Sequence, residues 1–393
     1  MKVLIINSGS SSIKFQLIQM PVGDVLCVGL IERIGLSDAQ LHYKSSQVKQ
    51  TRNLEIRDHH QGLQAISDIL MDPKIGVVNQ PDEIEVVGHR VVHGGGTFSA
   101  TTLITAAVKK EIDRLSVLAP LHNPANLAGI EVAEKIFASA KQVAVFDTAF
   151  HQTIPGFAHQ YAIPLELYEK HGIRVYGFHG TSHKYVSEKA KEMVSDSTRL
   201  ITIHLGNGCS ITAIKNGKSI DHSLGFSPVS GLVMGTRSGD VDPAIIFYLV
   251  KTLDYSLEEV NQMLQKKSGM LGLTGHSDLR EIQTRAQNGD KACKLALAIN
   301  AYRIKKYVGA YVAAMNGLDA VVFTGGIGEN SAVMRGLICQ DLSYIGLELD
   351  ANRNEVKSDE QRDIASDQSK ARILVIPTNE ELEIAKQAYA LTS

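Results

Sequence analysis

Apolar and polar positions divide this chain into short strands alternating with helices. Residues 3–6 are wholly apolar and rich in β-branched side chains, and they stop at Asn7-Ser8-Gly9-Ser10-Ser11-Ser12. Ile13, Phe15 and Leu17 then alternate with Lys14 and Gln16, which predicts strand, turn, strand. The same shape returns over residues 200–214, where Gly206-Asn207-Gly208 interrupts two apolar runs. Gly9 aligns with Gly206 about half a chain apart, so the pattern predicts two similarly built α/β domains facing one another.

Residues 84–92 read as a buried strand, 109–118 and 126–137 as helices, and 142–146 as a strand ending at Asp147. Ser182 suits the N-cap of a helix beginning near His183. Residues 292–315 have long helical spacing, and 320–323 form a strand running into Thr324-Gly325-Gly326. The polar stretch 351–371 is expected to be an exposed loop, followed by a last strand at 373–376. Thr378 and Glu381 match a capping box for a terminal helix. Strands alternating with helices predict an α/β class with mixed sheets.

A length of 393 residues, 44% of them hydrophobic, favours two domains and excludes a largely disordered chain. Forty basic against forty-two acidic residues leaves no basic excess for a nucleic-acid partner, so a small substrate is expected. Cys27, Cys209, Cys293 and Cys339 lie far apart, which fits a reducing compartment rather than a zinc knuckle or disulfide framework. The initial apolar run is too short for a signal peptide, and the longest one, 245–250, is too short to span a bilayer. A cytoplasmic protein without a membrane partner is expected.

Several familiar motifs fail on a required residue. Gly217-Lys218-Ser219 resembles the end of a Walker A loop, but Thr212 holds the earlier glycine position. His93-Gly94-Gly95-Gly96 resembles an esterase oxyanion loop, yet no Gly-x-Ser-x-Gly elbow supplies a nucleophile. What remains is three Gly/Ser/Thr-rich turns after apolar strands, at 7–12, 204–210 and 324–330. Turns of this kind offer backbone N–H groups and hydroxyls to phosphate oxygens, and three of them point to a nucleotide held between domains.

Asn7-Ser8-Gly9-Ser10-Ser11-Ser12-Ile13-Lys14, Gly177-Phe178-His179-Gly180-Thr181-Ser182-His183, His204-Leu205-Gly206-Asn207-Gly208, Gly235-Thr236-Arg237-Ser238-Gly239-Asp240 and Phe323-Thr324-Gly325-Gly326-Ile327-Gly328-Glu329-Asn330 resemble the acetate kinase family in order and along nearly the whole chain. The resemblance implies two duplicated actin/hexokinase/Hsp70-like (ribonuclease H-like) domains, with mixed sheets flanked by helices and an interdomain cleft closing over ATP. It places the first domain at 1–149 with the terminal helix, about 381–393, and the nucleotide-binding domain at 150–380. It also implies a homodimer, Mg2+ (with Mn2+ as a substitute), ATP/ADP as co-substrate, and reversible transfer of the γ-phosphoryl group to acetate.

Acetate is ionised at neutral pH and needs no general base, so the chemistry calls for cations and donors in fixed geometry. Arg90 and Arg237 suit the carboxylate and the transferring group, because a guanidinium fork binds planar anions bidentately. Arg90 could equally form a salt bridge at a strand end. By resemblance, His179 donates to the phosphoryl oxygens; the rival role is a phosphohistidine nucleophile with two inversions. His183, four residues on, is expected to be structural or to support a site residue from behind. Asp147 would orient an arginine or the metal shell, or else cap a turn. Asn7 and Glu380 would hold magnesium, although an acid in a first helical turn is favoured anyway. Ser10, Ser12 and Lys14 line the first phosphate turn, with Lys14 otherwise a solvated strand residue. His204, Leu205, Gly206, Asn207 and Gly208 would hold the β- and γ-phosphates. Asp278, Leu279 and Arg280 with Gly326, Ile327, Gly328, Glu329 and Asn330 would hold adenosine. Val92, Leu121 and Pro228 would form the pocket for the acetate methyl, with Val92 favouring acetate over propionate. The rivals are a propionate or butyrate kinase and, from another class, a non-enzymatic ATP-dependent switch.

Overall fold

Strand β1 (Lys2–Ser8) is apolar at every central position because both its faces are covered. The computed structural model describes residues 1–393 and divides into two units, Met1–Phe150 with Asn379–Ser393, and His151–Thr378. In the first unit, β1 joins β2 (Ser12–Gln19), β3 (Asp24–Glu32), β4 (Ala39–Ser45), β5 (Lys49–Leu54), β6 (Val86–Val91), β7 (Thr102–Leu103) and β8 (Lys141–Phe146). The sheet order is β5-β4-β3-β2-β1-β6-β8-β7, with β1, β6 and β8 parallel and the remaining pairs antiparallel.

Alternation along β1 assigns its side chains to two cores. Leu4 and Ile6 pack with Leu63 and Ile66 of the helix His59–Leu70, while Val3 and Ile5 pack with Ile384 and Ala388 of the helix Glu380–Thr392. The chain's last helix therefore belongs to the first unit. Gly88 lets it close on the sheet, since a Cβ there would lie 3.0 Å from both Ile384 and Ile5.

The second unit holds β9 (Arg199–Leu205), β10 (Cys209–Lys215), β11 (Lys218–His222), β12 (Ala320–Thr324), β13 (Arg362–Asp363) and β14 (Arg372–Val375), in the order β11-β10-β9-β12-β14-β13. Its run β11-β10-β9-β12-β14 repeats β3-β2-β1-β6-β8 of the first unit in both order and direction. The α/β class with two mixed sheets flanked by helices is thus as expected, and the half-chain repeat corresponds to a repeated sheet topology. The second hairpin is one residue tighter: Leu205 pairs with Cys209, whereas Ser8 pairs with Ile13.

Two expectations need correction. The stretch 351–371 is no plain loop, for it contains the helix Ala351–Glu355 and β13, and Ile364 and Ala365 are fully buried. The terminal helix is capped by Asn379, whose side chain accepts from the amide of Leu382, and not by Thr378. Glu381 instead pairs with Lys14.

Candidate active site

Three neighbouring parallel strands bring Asn7, Arg90 and Asp147 to one edge of the first sheet, because all three lie at or just past carboxyl ends. The Arg90 fork spans the Asp147 carboxylate, with Nε 3.1 Å from Oδ1 and Nη2 in close contact with Oδ2. Nη1 of Arg90 donates to Asn7 Oδ1 at 3.3 Å, and Glu380 Oε2 lies 3.8 Å from Nε. Burial opposes the Arg90 charge, but Asp147 and Glu380 outweigh it and raise the pKa, so the guanidinium is a fixed cation. Lys14 is taken up by Glu381, and the Gly9 carbonyl accepts from His59 Nε2 at 2.6 Å.

The loop after β6 is held from the helix Asn123–Ile136. Asn126 accepts from the Val92 amide at 3.1 Å and donates to the Ser8 carbonyl at 2.7 Å, while Asn123 accepts from the His93 amide at 3.1 Å. Val92 is buried, whereas Leu121 is 55% exposed.

In the second unit, His179 precedes the helix Gly180–Met193 with a left-handed backbone, φ 56°. That conformation costs free energy for a non-glycine residue and must be held by its surroundings. The Phe178 amide donates to His222 Nε2 at 3.1 Å, and His151 Nε2 donates to the Phe178 carbonyl at 3.0 Å. Burial keeps both imidazoles neutral, lowering His151 to about 4 and His222 well below 6.5. The His179 ring stacks on His204 at 4.7 Å, and its Nδ1 lies 2.8 Å from Ser210 Oγ.

These rings face a bare turn. A Cβ at Gly208 would lie 3.6 Å from His179 Nε2 and from Arg237 Nη1, and one at Gly206 would lie 3.7 Å from His204 Nε2. Arg237 has neutral partners only, the Pro228 carbonyl at 2.9 Å and the Met234 sulfur at 3.8 Å. Burial lowers its pKa, with Cys209 opposing. A half-buried cation without a counter-ion, flanked by two imidazoles, is suited to an anion of high charge.

Beside this turn opens a cavity of about 760 Å³, lined by Gly206, Asn207, Val233, Met270, Asp278, Leu279, Arg280, Gly326, Ile327, Asn330 and Met334 among others. Its volume and mixed lining suit a molecule of nucleotide size.

The family profile described as the acetokinase family matches residues 2–386. The chain belongs to the acetokinase family. It is 60% identical over 391 residues to the acetate kinase of Flavobacterium johnsoniae, covering 100% of this chain and 99% of the relative. It is 51% identical to the acetate kinase of Thermotoga maritima, covering 98% and 97%. Among solved structures, Porphyromonas gingivalis acetate kinase superposes with a TM-score of 0.95 at 45% identity, covering 100% of both chains. A propionate kinase from Francisella tularensis superposes with 0.93 at 45% identity, covering 99% of both. This acetokinase chain is therefore a phosphotransferase with a carboxyl group as acceptor.

Within this acetokinase chain, not every residue singled out from sequence faces the cavity. Gly328 is packed against Phe323, and the Glu329 carboxylate accepts from the amides of Gly325 and Thr378 at 2.8 and 3.1 Å. Asp278 and Arg280 do line the cavity, but they pair with each other, and Asp278 also caps the helix Leu279–Gln287. Ser182 is no N-cap: it lies inside the helix, and its hydroxyl is 2.9 Å from His204 Nδ1. Sequence reasoning missed Asn300, which donates to the Val233 carbonyl at 3.0 Å from within the cavity wall, and the pair Asn123 and Asn126. Polar residues on the apolar face of a helix pattern were the available signal.

The oxygen donors Asn7, Asp147 and Glu380 are hard ligands of the kind magnesium takes, alongside substrate phosphates and water. They number two carboxylates and one amide, and no group of three acidic, histidine or cysteine side chains is arranged so that it could hold a metal ion by itself.

Proposed function

We propose that this chain reversibly transfers the γ-phosphoryl group of ATP to acetate, giving acetyl phosphate and ADP by direct in-line transfer. The observation that carries the reading is Arg237, a cation with no carboxylate beside it, set with His179 and His204 against the Gly206–Gly208 turn. The transferring group in such a reaction spreads negative charge over its equatorial oxygens, and donors fixed beforehand stabilise it without reorganisation. Arg237 supplies charge there, and His179 supplies a hydrogen bond. The cavity takes the nucleoside, with Gly326, Ile327 and Asn330 on one wall and Asp278 to Arg280 on another.

Arg90 serves the carboxylate. Asp147 spans two of its donors and fixes the guanidinium plane, so that the remaining N–H bonds point in one direction. Asn7, Glu380 and Asp147 would hold magnesium, which when bound neutralises charge on the phosphate oxygens. Val92, buried, narrows the acyl pocket, and Leu121, half exposed, stands at its mouth in this reading. The Francisella propionate kinase keeps the longer carboxylate as the second reading.

The helix Ala244–Thr252 buries none of its residues and exposes Ile245, Phe247 and Tyr248. A surface so apolar suits a second copy of the chain, and a light-scattering mass near twice 42.7 kDa is expected. Four unpaired cysteines suit the cytoplasm, and no helix is long and apolar enough to cross a membrane.

The deciding experiment traps product with hydroxylamine, using ATP, magnesium and acetate, propionate or butyrate in parallel. Hydroxamate greatest with acetate is expected. Higher kcat/KM with propionate would keep the chemistry and overturn the acetate preference. No product from folded protein that binds ATP would overturn the transfer itself.

A further inference from the structure

Five imidazoles crowd the second unit, and the mechanism above uses only two of them. His151 and His222 hold the Phe178 peptide, but His183 touches neither that peptide nor the Gly206–Gly208 turn. It is fully buried between two hydroxyls: Nδ1 lies 2.7 Å from Thr202 Oγ1, and Nε2 lies 2.7 Å from Ser210 Oγ. The second neighbour of Ser210 is His179 Nδ1, at 2.8 Å.

The hydrogen positions along this chain of groups follow from counting donors and acceptors. Thr202, fully buried on β9, has His183 Nδ1 as the single polar neighbour of its hydroxyl. A buried O–H that donates to nothing is costly, so Thr202 donates and His183 Nδ1 accepts. His183 is neutral: burial drives its pKa well below 6.5, and the nearby His151, His204 and His179 act the same way. Its one ring proton is therefore on Nε2 and is given to Ser210. The Ser210 hydroxyl, accepting there, has one remaining partner and donates to His179 Nδ1. His179, accepting at Nδ1, then carries its ring proton on Nε2, the atom beside Gly208 and near Arg237.

We infer that Thr202, His183 and Ser210 form a hydroxyl–imidazole–hydroxyl relay that fixes His179 as an Nε2–H donor toward the phosphoryl group. This rests on the reading of His179 as a residue that meets that group. Its consequence is a choice between two mechanisms. With Nδ1 engaged by Ser210 and Nε2 protonated, His179 has no lone pair to attack phosphorus, so it stabilises a single transfer and forms no phosphohistidine. The reversed arrangement would place both ring protons on Nδ1 and turn both hydroxyls, which would leave the Thr202 hydroxyl hydrogen without an acceptor. Thr202, His183 and Ser210 are thus positioning residues that act through His179.

Neutron diffraction from perdeuterated crystals reads the assignment directly and needs no variant. Deuterium on Nε2 of both His179 and His183, with none on Nδ1, is expected; deuterium on Nδ1 of His179 would overturn the relay. Kinetics supply the second test. Thr202→Val keeps the branched shape and removes only the donor, and it is expected to lower kcat roughly 10–100-fold, as for other groups that orient a functional histidine. KM for ATP and acetate should stay within about threefold, and Thr202→Ser should restore turnover. Wild-type kcat in Thr202→Val would overturn the proposal. The reading of His179 itself fails separately, if His179→Ala retains normal turnover.

Discussion

The two units repeat one five-strand arrangement, each with a glycine turn after its first strand and an arginine nearby, yet they treat the arginine's charge in opposite ways. Arg90 is embraced by Asp147, touched by Asn7 and approached by Glu380. Arg237 meets a carbonyl and a thioether. A buried charge is tolerated when paired and is costly when bare, so the first cation belongs to the resting protein and the second awaits a ligand. The sheet arrangement is repeated, but Arg90 stands near the end of β6 and Arg237 in the loop after β11, so the two cations meet different surroundings.

Removing the bare cation should have the largest effect. Arg237→Ala is expected to lower kcat by about a thousandfold or more, the scale for losing a donor aimed at developing charge. Folding should survive, because the side chain has no ion pair to lose. Arg237→Lys should recover only part of the rate, since an ammonium cannot fork. Turnover near normal in the alanine variant would erase the contrast between the two arginines.

The paired cation makes the opposite prediction. Asp147→Ala strips the buried carboxylate from Arg90 and should cost about 3–5 kcal/mol of stability, the scale for breaking a buried pair from one side. Urea unfolding measures it, and a loss under about 1 kcal/mol would show that Glu380 alone suffices for Arg90.

Much of this was legible along the chain where burial leaves a period. Strands covered on both faces appear as unbroken apolar runs, and the helix Lys291–Met315 follows its spacing to the last turn. Local cap patterns were less dependable: Ser182 and Thr378 have cap chemistry, but tertiary partners took their hydroxyls, as the 2.9 Å contact between the two shows. The two-residue strand β13 is too short to show a period, so its neighbours Ile364 and Ala365 were lost in polar surroundings. The histidine cluster was hidden for another reason. His151, Phe178 and His222 are far apart in sequence, and only the sheet and the following helix bring them together. Motif resemblance named His179 but could not supply the relay behind it.

Acid should separate the units less sharply. His151 is held near 4 in the folded state against 6.5 free, and His183 and His222 are lowered as well. The unfolded chain therefore binds more protons, and stability is full above pH 6.5 and falls as pH drops toward 4. Each such group contributes a slope of about 1.4 kcal/mol per pH unit within its window. In the first unit His89 and His93, both at about 4, act in the same direction. His151→Gln should flatten the pH dependence by about one proton, measured by denaturant unfolding between pH 4 and 7. An unchanged slope would mean that His151 is not the neutral imidazole that clamps Phe178.

The smallest effect tests whether the units divide recognition as they divide charge. Val92 is buried after β6, and its amide is held by Asn126, so its side chain has little freedom to move aside. Val92→Ala removes two methyl groups' worth of volume from the first unit, and Val92 is not among the residues lining the cavity of the second. One methylene in an apolar pocket is worth about 1–3 kcal/mol of discrimination, so the propionate-to-acetate ratio of kcat/KM should rise roughly tenfold while KM for ATP stays constant. Parallel hydroxamate assays at saturating ATP give the ratio, and ATP titrations at saturating acetate give the control. A shift in KM for ATP of similar size would mean that the two clusters do not read their substrates independently. No shift in the carboxylate ratio would mean that the half-exposed Leu121, and not Val92, limits acyl length.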